Sequence, residues 1–290
     1  GTSSEAQPSE AGCCQACHHE QAQGRLSPDA KKAILWPPSS DCGHFFVCCT
    51  APGPRRLIPS GPMHDAFLPN LQDHALEALL SCDPERKVAQ VNALLIDWRA
   101  GRFAPPEAGA PTAPVCMPGR PERPRLVPHK TVPRRRPGTP EGHAALLHAI
   151  AHIEFNAINL ALDCVHRFAG LPHGYYEGWL QVAAEEAHHF NLVEARLHAL
   201  GRAYGDFEAH DGLWEMALKT ADDPLARMAL VPRVLEARGL DATPPIVDAL
   251  RRIGDSETIA VLDIILRDEI GHVALGDQWF RYFCGERGLE

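Results

Sequence analysis

The 290-residue sequence predicts an all-α fold: four long helices in a bundle, with two shorter helices and a proline-rich strap ahead of them. Three observations predict it. Apolar residues recur at spacings of three and four through most of the chain after residue 70. Prolines crowd one segment, eleven of them between Pro105 and Pro140, and only five follow. No stretch shows the alternation of a half-buried strand.

The elements divide the chain into 1–70, a leader expected to be disordered or foreign to the rest; 71–101, a helical pair; 102–140, the strap; and 141–290, the bundle. The leader begins at Gly1, which reads as a processed or partial product. It holds Cys13, Cys14, Cys17, Cys42, Cys48 and Cys49, with His18, His19 and His44 among them. Four soft ligands can make a tetrahedral zinc site. Here the spacing fits no finger and no apolar period surrounds it, so an unstructured leader is the preferred reading. Cys82, Cys116, Cys164 and Cys284 are scattered, as reduced thiols of a cytoplasmic protein would be, with an organelle as the alternative.

In the helical pair, Leu76, Leu79 and Leu80 are followed by Val88, Val91, Leu94, Leu95 and Trp98. Asp83-Pro84-Glu85 between them is a helix start, Asp as cap and Pro at the first helical position. The strap's prolines forbid regular helix. Its second half carries Arg120, Arg123, Arg125, Lys130, Arg134, Arg135 and Arg136. Such a strap over 120–136 can touch RNA phosphate. It lacks interleaved aromatics for base stacking, and the formal charge is −9. A strap lying on an acidic bundle is therefore preferred.

The bundle opens at Thr139-Pro140-Glu141, and its first helix runs to about Phe168. Gly170-Leu171-Pro172 breaks the chain. The second helix runs from about Tyr175 to Leu200 and is stopped by Gly201. A short helix is expected from Leu213 to Thr220. The third long helix runs from about Pro224 to Arg238, kinked by Pro232 and ended by Gly239. A further short helix spans Pro245 to Ile253, and the fourth long helix Ser256 to Phe283. No apolar run is expected to be long enough for a membrane; Ile259 to Leu266 is the best stretch, interrupted by Asp263.

The acids lie in the wrong place for a surface. Glu154, Glu186, Glu236 and Glu269 fall on or beside apolar faces, where a solvated helix would carry none. Two are followed at the third position by histidine, as Glu186-Ala187-His188-His189 and Glu269-Ile270-Gly271-His272, so each pair shares a helix face. The order is Glu, Glu-x-x-His, Glu, Glu-x-x-His, with 32 residues from Glu154 to Glu186 and 33 from Glu236 to Glu269. This is the ligand set of a di-iron or di-manganese carboxylate bundle. Four carboxylates in an apolar core repel and are costly to desolvate; two divalent cations would neutralise them. The alternative pairs the acids with Arg233, Arg238 and Arg267, but leaves the two matched histidines unexplained. Glu185 with His188 offers a second register, rotated by one residue. The stripe through Val182, Ala183, Phe190 and Val193 favours Glu186 with His189, and leaves Glu185 and His188 as groups that would orient a ligand. Tyr175 and Tyr176 are candidates to approach the site.

Several strings resemble one family. They are Gly138-Thr139-Pro140-Glu141-Gly142, His148-Ala149-Ile150-Ala151-His152-Ile153-Glu154, Ala184-Glu185-Glu186-Ala187-His188-His189-Phe190, Ala209-His210-Asp211-Gly212-Leu213-Trp214, Pro232-Arg233-Val234-Leu235-Glu236-Ala237-Arg238-Gly239-Leu240-Asp241 and Arg267-Asp268-Glu269-Ile270-Gly271-His272-Val273. Together the chain from about Leu71 onward resembles a ferritin-like family of unknown function. The resemblance implies a ferritin-like fold with a di-iron centre, no assigned reaction, and His189 as the helix-two histidine.

The expected function is accordingly that of a di-metal carboxylate protein, with two iron ions or, alternatively, manganese. It would be a dioxygen- or peroxide-dependent oxidoreductase or hydroxylase acting on a small molecule and served by an electron donor. A non-catalytic iron-handling protein and a metal-free structural bundle are the competing readings.

Overall fold

Two of the long helices start where a side chain satisfies one of their first free N–H groups. Thr139 Oγ1 accepts from Gly142 N and Asp255 accepts from Thr258 N. Asp83, Asn70 and Asp223 do the same for three shorter helices. A computed structural model describes residues 68–109, 112–133, 135 and 138–289. The leader's cysteines and histidines, and Arg134 and Arg136 of the strap, lie outside these residues.

The helices are α1 (Leu71–Leu79), α2 (Pro84–Arg99), α3 (Pro140–Arg167), α4 (His173–Ala199), α5 (Gly212–Lys219), α6 (Pro224–Leu230), α7 (Ala237–Ile253) and α8 (Ser256–Glu286). A π-helical segment, Val231–Glu236, joins α6 to α7. No strand occurs among the described residues; Asn70–Ala104 and Leu126–Ala209 form isolated bridges. The chain is thus all-α over the described residues.

The core is built on α3 and α4, which return on each other through the Gly170 turn and pack along their length. α1 covers α3 and α2 covers α4. α8 lies on α4, and α6, the π segment and α7 lie on α8. Lys87 ties α2 to its neighbours: its buried Nζ donates to Ala78 O, Leu79 O and Asn159 Oδ1.

Two expectations are corrected. Gly239 does not end the third long helix: α7 runs through it to Ile253 and takes in the short helix expected from Pro245. Thr243 Oγ1 bonds back to Gly239 O within that turn. Pro244 and Pro245 sit in the helix, and Gly254, at φ +77°, is the stop. Pro232 falls in the π segment, whose wider turn accommodates the missing N–H. It packs on Gly276 of α8, where a Cβ would stand 2.3 Å from the Pro232 Cβ, so only glycine allows the approach.

The second correction concerns apolar length. α3 is long and apolar enough to cross a membrane by length and composition alone, which Ile259 to Leu266 is not. Of its most apolar window 72% is buried within the protein, so that surface serves the core.

The strap is held by pairs with acids of the same chain. Arg120 meets Asp211 at 3.1 Å, Arg135 meets Glu141 at 3.0 Å, and Arg125 pairs with Glu208. Trp214 Nε1 donates to Cys116 O, and Gly119 N to Leu79 O.

Candidate metal centre

Helix periodicity brings six predicted residues toward one place. α3 carries Glu154, α4 carries Glu186 and His189, the last residue of the π segment is Glu236, and α8 carries Glu269 and His272. Glu154, Glu186, His189 and Glu269 offer ligand atoms that all lie within 4.8 Å of one another, a spacing that could hold a metal ion. His189 Nδ1 stands 3.4 Å from both Glu154 Oε2 and Glu186 Oε2. His272 Nδ1 stands 3.0 Å from Glu186 Oε1 and 3.9 Å from Glu269 Oε1. Glu186 and His189 are wholly buried.

The far nitrogen of each imidazole points away from the acids and is tied down. His189 Nε2 donates to Asp268 on α8 at 3.1 Å. His272 Nε2 donates to Glu185 on α4 at 2.8 Å. Each carboxylate thus holds the histidine of the opposite helix. Glu185 is one of the two groups expected to orient a ligand. His188, the other, is exposed, its ring 6.4 Å from that of His189 and directed away from the cluster. In the sequence Asp268 flanks Glu269 and reads as a solvated or hydrogen-bonding group rather than a ligand; its partner is His189. The signal for that pairing is the repeat of an acid directly before each Glu-x-x-His, Glu185 in one and Asp268 in the other.

Glu236 Oε2 and Glu269 Oε2 are buried without a hydrogen-bond partner, and Glu154 Oε2, Glu186 Oε1 and His272 Nδ1 meet only other members of the cluster. Buried polar atoms are nearly always paired with groups outside such a cluster, so acids and imidazoles left to one another around one point ask for a ligand. The arginines that could have answered look elsewhere. Arg233 pairs with Asp277, Arg267 with Asp268, and Arg238 is exposed.

Protonation shows the same conflict. Burial, then the Glu186 charge, pushes Glu154 up to about 8. Burial, then Glu269, pushes Glu236 up to about 8, and burial, then Glu186, does the same to Glu269. Burial also opposes ionisation of Glu186, but His189 and His272 outweigh it and hold that carboxyl far below the usual range. Burial disfavours charge on the imidazoles, yet Glu154 and Glu186 lift His189 to about 10. Glu185 and Glu186 lift His272 to about 11. Without a metal, protons do what cations would do.

The flanking groups belong elsewhere. His152 Nδ1 is bonded to Tyr204 Oη at 2.8 Å and its Nε2 to His210 O at 3.0 Å. Asn156 donates back to His152 O. Tyr176 donates to Phe168 O, and Tyr175 lies in an aromatic stack.

Residues 80–290 match the model of a family described as "Protein of unknown function (DUF455)". The chain belongs to that family. A relative from Haemophilus influenzae, described as "Uncharacterized protein", is 55% identical over 177 residues, 59% of this chain and 62% of the relative. The chain therefore spans less than two thirds of that relative's length. No solved structure matches the chain. All six cluster residues, with Glu185 and Asp268, fall inside the matched DUF455 region.

Proposed function

We propose that this chain is a ferritin-like di-metal carboxylate protein that holds two iron ions and acts as a dioxygen- or peroxide-dependent oxidoreductase of the hydroxylase kind. The observation that carries the reading is the orientation of the two histidines. Each gives its Nε2–H to a carboxylate of the other helix and turns Nδ1 into the ring of acids. A metal-binding histidine needs this arrangement, because the outer acceptor fixes the tautomer and leaves the inner lone pair for the ion.

The donor set suits iron or manganese. Carboxylates and imidazoles are hard to intermediate ligands, and among the described residues no thiolate enters the cluster. Glu154, Glu186, His189, Glu236, Glu269 and His272 would hold the pair, in the order Glu, Glu-x-x-His, Glu, Glu-x-x-His known for ferritin-like bundles. Iron there would supply one-electron redox chemistry and sites for dioxygen or peroxide. The protein's own part is to exclude water with the buried faces of α3 and α4. Asp268 and Glu185 hold the imidazoles, and Pro232 on Gly276 positions the turn that carries Glu236.

Elemental analysis of protein purified from iron-rich medium tests the reading. About two iron ions per chain are expected. Glu154→Ala and His272→Ala should each lower that content clearly. Unchanged loading in both variants overturns the assignment.

A further inference from the structure

Two tryptophans lie two helical turns from the cluster. Trp179 precedes Glu186 by seven residues on α4, and Trp279 follows His272 by seven on α8, so each shares a face with its helix's ligands. The displacement along each helix is about 10 Å. Tyr175 sits between them, its ring centroid 6.3 Å from Trp179 and 5.1 Å from Trp279. Trp279 is 5.2 Å from Tyr282, which is only partly buried. The four rings make a continuous edge-to-face series from the core to the surface.

Packing alone does not explain the choice of residues. Trp179 Nε1 and Trp279 Nε1 are buried without a hydrogen-bond partner, and Tyr175 Oη has only the Cys164 thiol beside it. A stranded donor is costly. Phenylalanine would fill much of the space with no donor to strand, as Phe283 does beside Tyr175 and Tyr282. What indole and phenol offer that a phenyl ring lacks is the ability to give up one electron.

We propose that Trp179, Tyr175, Trp279 and Tyr282 form a route for single electrons between the Glu/His cluster and the surface, an inference that rests on the metal reading above. When no substrate takes up an oxidising equivalent of the centre, Trp279 gives it one electron and becomes an indole radical cation. Tyr282 refills Trp279 with one electron and releases its phenolic proton to solvent. The Tyr282 phenoxyl then takes a hydrogen atom from a low-molecular-weight thiol, and two thiyl radicals couple to a disulfide. Tyr175 bridges Trp179 to Trp279 by ring contact; its buried hydroxyl lies beside the Cys164 thiol, which burial keeps protonated. The route would spare the cluster from oxidising its own ligands.

The test begins without metal. Azide radicals generated by pulse radiolysis oxidise tryptophan in the full chain, and absorbance follows decay of the indolyl radical and rise of the phenoxyl radical. In the wild type the transfer should be first-order and independent of protein concentration. Tyr282→Phe should lose most of the phenoxyl amplitude, Trp279→Phe should slow its rise, and Tyr204→Phe should change neither. Unaltered rate and amplitude in Tyr282→Phe overturn the proposal, and this partly exposed residue carries the test even if Trp279→Phe fails to fold. A second arm treats iron-loaded protein with peroxide in the absence of substrate and freezes it for electron paramagnetic resonance. A tyrosyl signal absent from Tyr282→Phe is expected; the same signal in both overturns the route. Iron loading without transfer removes the route alone, whereas transfer in a chain that binds no iron removes the metal reading and, with it, the role of the route at the cluster.

Discussion

Two sites in this protein bury charge deep among the same helices, and they are built on opposite principles. In one, Asp163 on α3 receives Arg227 Nη1 at 2.7 Å and Arg167 Nη2 at 2.7 Å. Arg227 spends its other donors on Thr220 Oγ1 and Ala217 O, both at 2.7 Å. Asp163 and Arg227 have no exposed side-chain surface, and neither leaves a stranded atom among the described residues. In the other, Glu154, Glu186, Glu236 and Glu269 have only one another and two imidazoles to meet, and Glu236 Oε2 and Glu269 Oε2 meet nothing. Burial is common to both, so burial is not the diagnostic. What distinguishes a structural ion network from a ligand set is whether the protein completes it alone.

The largest effect that separates them is expected at Arg227. Removing one member of a completed buried pair leaves the other charge unpaired, which costs about 3–5 kcal/mol. Arg227→Met should therefore lower the free energy of unfolding, read from chemical denaturation, by that amount with or without iron present. A loss seen only in the iron-loaded protein would erase the contrast between the sites.

The next effect is smaller and confined to the metal. Asp268→Asn and Glu185→Gln keep the size of the groups holding His189 and His272 but remove their charge. Such outer partners are typically worth about 10- to 100-fold in metal affinity. Competition with a chelator should show a loss of that order in each variant, while the metal-free protein keeps its melting temperature to within a few degrees. Equal affinity in both variants would reduce these carboxylates to surface groups.

Much of this was legible in the residues. The starts of α3 and α8 follow from Thr139-Pro140 and Asp255-Ser256, because capping is a local matter between a side chain and the next turn. The six-residue cluster follows from helix period, which places Glu and the third residue after it on one face. What local reasoning missed was decided across helices. Gly239 looks like a stop because glycine is a poor helix former, but packing on α8 carries the helix through it. The π segment depends on the fit of Pro232 against Gly276, two residues far apart in sequence. Asp268 reads as a surface acid until α4 is laid beside it, when its partner proves to be His189. The Asp163–Arg227 pair, 64 residues apart, has no periodic signature at all.

The two sites also differ in their response to pH, an effect that belongs to the cluster as a whole and not to any one group. In the metal-free chain Glu154, Glu236 and Glu269 titrate at about 8, against 4.5 for an unperturbed carboxyl. His189 and His272 titrate at about 10 and about 11, against 6.5. Between the ordinary and the raised values the folded chain holds protons that the unfolded chain has lost. Stability must then fall as pH rises through that window. Glu185, Glu186 and Asp268 are shifted the other way, so their contribution is lost only on acidification below the ordinary carboxylate range. Burial lowers His148, His152 and His210, which offsets the glutamates below about pH 6.5, and lowers Lys87, which opposes them only in part above it. The metal-free melting temperature should accordingly decline from about pH 7 to about pH 9, where the five raised groups of the cluster outweigh Lys87. Bound divalent ions displace the same protons, so loading should strengthen over the same interval and the decline should disappear. Arg227→Met should shift the whole metal-free curve downward without changing its slope, since the Asp163 network completes itself by hydrogen bonds. A metal-free melting temperature that rises with pH across this range would mean the acids are not facing one another, and would take the contrast between the two sites with it.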